Sequence, residues 1–186
     1  MTLSAFVAGT HVALLRGINV GGKNRLPMKD LVGVFEEAGC SDVQAYIQSG
    51  NVVFRATPTL AARVPNVVAN VVADRFGFRA PVLVRAAAEL RRVVRGNPFV
   101  RTGVDERTLH VAFLAEAPAA ARIAALDPGR SPPDEFVVRG REIYLRCPDG
   151  LGGSKLTNQY FDGRLATTST MRNWKTVLAL LHLTGG

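Results

Sequence analysis

His11-Val12-Ala13-Leu14-Leu15 returns in the second half of the chain as His110-Val111-Ala112-Phe113-Leu114, identical at four of five positions. Short apolar runs of this kind, rich in large and β-branched residues and bounded by turn formers, read as strands. Behind each run follow a helical spacing and then two further β-rich runs, so the repeated word opens a repeated order of elements. The first half completes the order β-α-β-β-α-β, which is that of a ferredoxin-like unit, an antiparallel sheet with helices on it. The expected class is therefore α+β: two ferredoxin-like lobes from an internal duplication, antiparallel sheets with helices packed on them. Residues 1–10 are expected as a flexible leader, 11–100 as the first lobe and 101–186 as the second.

The secure helix is the first. Met28, Leu31, Val32, Phe35 and Ala38 keep helical spacing, Pro27 suits the first turn and Gly39 the left-handed residue after the last. Val43–Ile47 and Val52–Phe54 flank the turn Gln48-Ser49-Gly50-Asn51 and form a hairpin. A second helix carries Val64, Val68, Val72 and Phe76 up to Gly77, with Pro65 limiting its upstream extent. Pro81–Arg85 is a short strand, and Ala87, Leu90, Val93 and Val94 give a third helix ending at Gly96. In the second half, Pro118–Leu126 reads as an Ala-rich helix, Glu135–Val138 and Glu142–Arg146 as a hairpin, and Leu156, Tyr160 and Phe161 as a short helix. Thr167-Thr168-Ser169-Thr170 stands as a run of cap residues before a last helix with a stripe of Trp174, Val177, Leu178 and Leu181.

At 186 residues and 47% hydrophobic content the chain can bury a core, and disorder is excluded. Its net charge of +8, from 23 basic and 15 acidic residues, favours anionic partners. Cys40 and Cys147 stand apart, with no CxxC pair and no zinc spacing, so a reduced, cytoplasmic setting is expected. No apolar run approaches the ~20 residues that span a bilayer, and the N-terminus lacks the cationic start of a signal peptide, so no membrane partner is expected.

Three motifs carry candidate chemistry. In the first loop, Gly17, Gly21 and Gly22 permit close backbone approach, Arg16 and Lys23 supply charge, and Asn19 and Asn24 add neutral donors. Ser49 and Asn51 sit in the hairpin turn at the end of the same sheet. At the start of the last helix, Thr168, Thr170, Arg172, Asn173 and Lys175 combine hydroxyls, an amide and cations where the helix dipole favours an anion. No Asp or Glu falls within any of these segments, which argues against paired-carboxylate catalysis and divalent metals. The first loop matches neither a Walker loop nor the GxGxxG fingerprint. His11 and His110 hold equivalent strand positions and read as structural residues.

Leu14–Asn24, Tyr46–Phe54 and Thr170–Trp174, with Phe76-Gly77-Phe78 and Asn97-Pro98-Phe99, resemble the bacterial family catalogued as domain of unknown function 1697. The resemblance spans nearly the whole chain. It implies a two-lobed α+β fold and no activity, so it contributes no catalytic residues. The residues themselves point to a phosphate-bearing ligand, a nucleic acid backbone or a nucleotide, held in a basic cleft between the lobes. An enzyme acting on a small phosphorylated or carboxylated metabolite and a structural or oligomerisation module are the alternatives. No cofactor or metal is expected, and neither the oligomeric state nor the catalytic residues are fixed by this reading.

Overall fold

The computed structural model describes residues 7–100 and 103–186, and these form two compact units, one of residues up to Arg91 together with Leu180–Gly186, the other Arg92–Ala179. The first unit follows the expected order: β1 (Gly9–Leu15), α1 (Met28–Glu37), β2 (Ser41–Tyr46), β3 (Asn51–Ala56), α2 (Pro58–Phe76) and β4 (Val82–Ala86), with α3 (Ala87–Arg95) running on from it. Its four strands lie in the spatial order β2-β3-β1-β4, every neighbour antiparallel. The second unit repeats this with β5 (Leu109–Leu114), α4 (Ala120–Ala124), β6 (Glu135–Arg139), β7 (Glu142–Arg146), α5 (Asn158–Leu165) and β8 (Ser169–Asn173), in the order β6-β7-β5-β8. Then α6 (Trp174–Leu183) follows β8 as α3 follows β4. Two antiparallel sheets of identical connectivity are what duplication of one α+β unit produces.

The repeated word sits at matched registers. His11 opposes Phe54 and Ala86 across β1, and His110 opposes Leu145 and Asn173 across β5. Each imidazole Nδ1 lies beside the carbonyl two residues upstream, Gly9 at 2.8 Å and Thr108 at 3.3 Å, and His11 also stacks on Phe54. Both are strand-anchoring residues.

In the first unit, Leu31, Val34 and Phe35 of α1 and Val64, Val68 and Val72 of α2 close over Ala13, Leu15, Val52 and Phe54. Phe35 and Phe54 meet with ring centroids 5.3 Å apart, and each such buried side chain contributes about 1.5–3 kcal/mol. Arg75 of α2 pairs with Glu37 of α1 on the surface. In the second unit, Phe161 and Leu165 of α5 pack on Ala112, Leu114, Ile143 and Leu145.

Five expectations are corrected. Gly9 and Thr10 belong to β1 rather than to a leader, since they pair with Ala56 and Arg55; the leader's first six residues lie outside the described residues. Pro65 lies inside α2, because the helix starts at Pro58, where Thr57 Oγ1 accepts the Leu60 N–H at 3.3 Å. An interior proline costs ~3 kcal/mol, and the buried valine face offsets it. The Ala-rich helix is only the five-residue α4 and buries none of its side chains; Leu156 precedes α5 rather than lying in it. The fifth concerns the C-terminal cap run. Ser169–Asn173 is a strand, not a helix start, pairing Ser169 with Leu114 through to Asn173 with His110. Hydroxyl residues can cap a helix or extend beside a strand. Here the buried β5 would otherwise leave a row of N–H and C=O groups unpaired, and the ladder prevails.

Candidate functional site

Each unit presents part of the predicted site. In the first, β1 runs into a loop in which Gly21 and Gly22 both take left-handed φ, 58° and 76°. This is the backbone of a two-residue hairpin turn, closed by Lys23 N–H to Val20 O at 3.0 Å and bracketed by Asn19 N–H to Asn24 O at 3.0 Å. The asparagines build the loop. Asn19 Nδ2 donates to Leu26 O at 2.9 Å and Gln48 O at 3.0 Å, while its Oδ1 accepts the Leu26 N–H at 2.8 Å. Asn24 Nδ2 donates to Gly17 O at 2.8 Å. Both asparagines have positive φ, which Asn tolerates better than other non-glycine residues. In the β2–β3 turn, buried Asn51 donates to Tyr46 O at 3.2 Å and to Ser49 Oγ at 2.9 Å. Asn19 therefore joins the two loops that the sequence placed at one sheet edge, Lys23 is left exposed, and Arg16 is half-buried.

In the second unit, Thr170 and Arg172 are buried on β8. Arg172 Nη1 donates to Thr170 Oγ1 at 2.8 Å and to Met171 O at 2.9 Å, and burial pushes its pKa down to about 10. The guanidinium stays charged at neutral pH. Ser169 is held by Asp162, which accepts its N–H at 2.7 Å and its hydroxyl at 2.6 Å. Thr167 Oγ1 accepts the Glu116 N–H at 3.1 Å, and Thr168 O accepts that of Ala115 at 2.8 Å. The helix cap is Asn173, whose Oδ1 accepts the Thr176 N–H at 2.8 Å.

A pocket of about 340 Å³ opens at the start of α6, lined by Glu106, Arg107, Asn173, Lys175 and Leu178. Two of these were predicted site residues. The other three come from a separate turn or the next helical turn, and no sequence spacing links Glu106 to Lys175. Arg107 is engaged by Asp105 through Nε at 3.0 Å and Nη2 at 2.9 Å, and it holds the Asp105 carboxyl below the usual carboxylate range. Lys175 thus supplies the cation, and Glu106 an acceptor for hydroxyl or amine groups.

Sequence reasoning missed Arg85. It opposes Val12 as Arg172 opposes Val111, is likewise buried, and donates from Nη1 to the carbonyl just before it, Val84 O at 3.1 Å. The signal was available in the repeat, since each arginine stands two residues before a helix that follows the last strand of its unit.

A buried polar cluster lies elsewhere in the second unit. Ser131 Oγ donates to Asp134 at 2.8 Å and accepts the Lys155 N–H at 3.0 Å, while Thr108 O accepts the Cys147 N–H at 2.8 Å. Burial, with Asp134 adding to it, pushes the Cys147 thiol up to about 12, and burial alone pushes Cys40 to about 11. Neither carries a thiolate at neutral pH; both are expected to resist a thiol reagent at pH 8 until the chain is unfolded, and rapid native labelling would contradict their burial. Burial lowers the His110 pKa below 6.5, outweighing Thr108 O and Asp134. The unfolded chain then binds the proton first as pH falls, so His110's contribution is complete above about pH 6.5 and is lost below it. Urea midpoints measured from pH 7.5 to 5 should fall, and His110→Gln should flatten that slope.

Among the described residues no group of His, Cys, Asp and Glu could hold a metal ion, and no helix is long and apolar enough to cross a membrane. A family model described as "Protein of unknown function (DUF1697)" matches residues 9–144. No curated protein matches. Among solved structures, the conserved bacterial protein SP0830 from Streptococcus pneumoniae is similar at a TM-score of 0.69 and 18% identity, covering 97% of this chain and 100% of that one. At that identity the likeness shows the fold alone.

Proposed function

We propose a function for a chain that belongs to the DUF1697 family, whose description assigns none: it binds a small phosphate-bearing molecule at the start of α6. The observation that supports this is the pocket uniting Lys175, Asn173, Arg107 and Glu106. Its volume lies in the range of small-molecule sites. A phosphate monoester meets Lys175 through charge-assisted hydrogen bonds, and Glu106 accepts from hydroxyls of the attached group, which favours a nucleotide or sugar phosphate over inorganic phosphate. Two buried free thiols agree with a reduced, cytoplasmic setting.

Titration calorimetry with adenosine monophosphate, ribose 5-phosphate and unphosphorylated adenosine tests the reading. The phosphorylated probes are expected to bind and adenosine to bind far less. Lys175→Ala should weaken binding roughly 10- to 100-fold, the loss of one charged hydrogen bond. Equal binding of adenosine and its monophosphate, or an unchanged affinity in Lys175→Ala, removes the reading.

A further inference from the structure

We infer that β6 is a self-complementary edge strand through which two copies of this chain pair, each joining its second-unit sheet to the other's about a two-fold axis. The surface shares no residue with the α6 pocket and does not depend on it. β6 closes one edge of its sheet, and among the described residues only β7 pairs with it. Such an edge presents main-chain N–H and C=O groups that another strand can join, and proteins ordinarily blunt it with a bulge, a proline or a lysine. The counterpart edge in the first unit, β2, is blunted in this way: its register breaks between Ser41 and Gln44, and Asp42 stands in the break with φ 49°. β6 is not. Glu135-Phe136-Val137-Val138-Arg139 keeps continuous register with β7 over all five residues and contains neither proline nor lysine.

The turn decides which groups face outward. β6 and β7 are joined by Gly140 and Arg141 alone, and the residues flanking a two-residue hairpin turn form a hydrogen-bonded pair. Arg139, Val137 and Glu135 therefore aim their main-chain groups at β7, while Phe136 and Val138 aim theirs at the open edge. A second β6 running antiparallel must match these outward groups to its own. With Val137 opposite its own copy, Phe136 opposes Val138 and Glu135 opposes Arg139, so both ends bring together opposite charges. The neighbouring registers place Glu135 or Arg139 opposite Val137 and lose both charge pairs. Charge thus selects one register.

That register extends what each sheet already contains. Arg146 meets Glu135 at 2.6 Å, and Arg139 lies opposite Glu142. The row across the joined sheets then reads Arg146, Glu135, the second copy's Arg139 and the second copy's Glu142, alternating in sign. Opposite charges facing one another across strands stabilise a sheet, and like charges destabilise it. Between the charged rows stand Phe136, Val137 and Val138, all half-buried, with Phe136 and Val138 packed on the second unit's core. A second copy would cover much of their remaining surface. An acid, three apolar residues and a base complement the same five residues reversed, which is what an isologous two-fold contact requires. This selects a second copy over an unrelated strand.

Pairing of two short strands is a small contact, of the class below about 1,200 Å² that associates reversibly. Sedimentation equilibrium on the full chain is expected to show a monomer–dimer equilibrium that shifts to dimer with rising concentration. Glu135→Arg and Arg139→Glu each set like charges against one another at both ends of the pair, and each should weaken self-association roughly 10- to 100-fold. Mixed in equal amounts, the two variants should associate with each other far more tightly than either does with itself, because every end again faces the opposite charge. A folding defect cannot produce that rescue. Hydrogen exchange on the parent chain needs no variant: the Phe136 and Val138 amides should exchange more slowly at high than at low protein concentration, with the Val137 amide unchanged. A chain that stays monomeric at every concentration, single variants that associate like the parent, a mixture that does not associate, or concentration-dependent protection confined to another strand would each overturn the inference.

Discussion

Gly50→Ala is expected to lower the stability of the fold by about 2–4 kcal/mol, combining overpacking with a left-handed backbone. A Cβ on Gly50 would stand 2.8 Å from Leu15 Cβ and 2.9 Å from Ile18 Cδ1, and the residue has φ +77°. Both neighbours are buried; the Leu15 contact is at a Cβ fixed to the β1 backbone, so only the packed Ile18 end could give. The Gly50 carbonyl also accepts the Leu15 N–H at 2.8 Å, so a shift of the turn would loosen the end of β1. Urea denaturation with an unchanged m-value measures the effect. A loss below about 1 kcal/mol would mean that the turn relaxes freely and does not fix the two loops.

Asn19→Ala should cost a similar amount, about 2–4 kcal/mol, from an unsatisfied buried N–H and an alanine forced into left-handed φ. The side chain makes three hydrogen bonds, two to the Leu26 backbone and one to Gln48 O, and φ is 54°. Asn19→Gly separates the two terms, because glycine accepts the backbone and loses only the bonds. The Leu26 amide should then exchange faster with solvent in both variants. If it does not, Asn19 is not what closes the loop.

Much of the fold was legible in local patterns. Pro27, the Leu31/Val34/Phe35 face and Gly39 describe α1 almost to the residue, because proline geometry, helical spacing and a left-handed glycine are local constraints that agree. The repeated His-Val-Ala words disclosed the duplication because β1 and β5 are the central strands that both neighbours pair with. The candidate site was less legible. A run of threonines and serine has the same local chemistry whether it caps a helix or fills a strand, and only pairing to β5 distinguishes them. Asn19 and Asn24 stand out in the sequence as neutral donors, yet composition could not say whether their amides face a ligand or the loop itself, to whose backbone they are bonded. Arg85 was overlooked because an arginine at the end of a strand carries no local mark.

What the sequence by itself determined, then, was the class of fold, its duplication and the polar segments on which special backbone geometry depends. These follow from periodicity and from residue-specific φ preferences, which act within a few residues. The tertiary structure alone decided that β8 is a strand, that Arg172 and Arg85 are buried counterparts, and that Glu106 and Arg107 share a pocket with Lys175. Those facts depend on which strand pairs with which, and backbone hydrogen-bond satisfaction across a sheet is a property of partners distant in the chain.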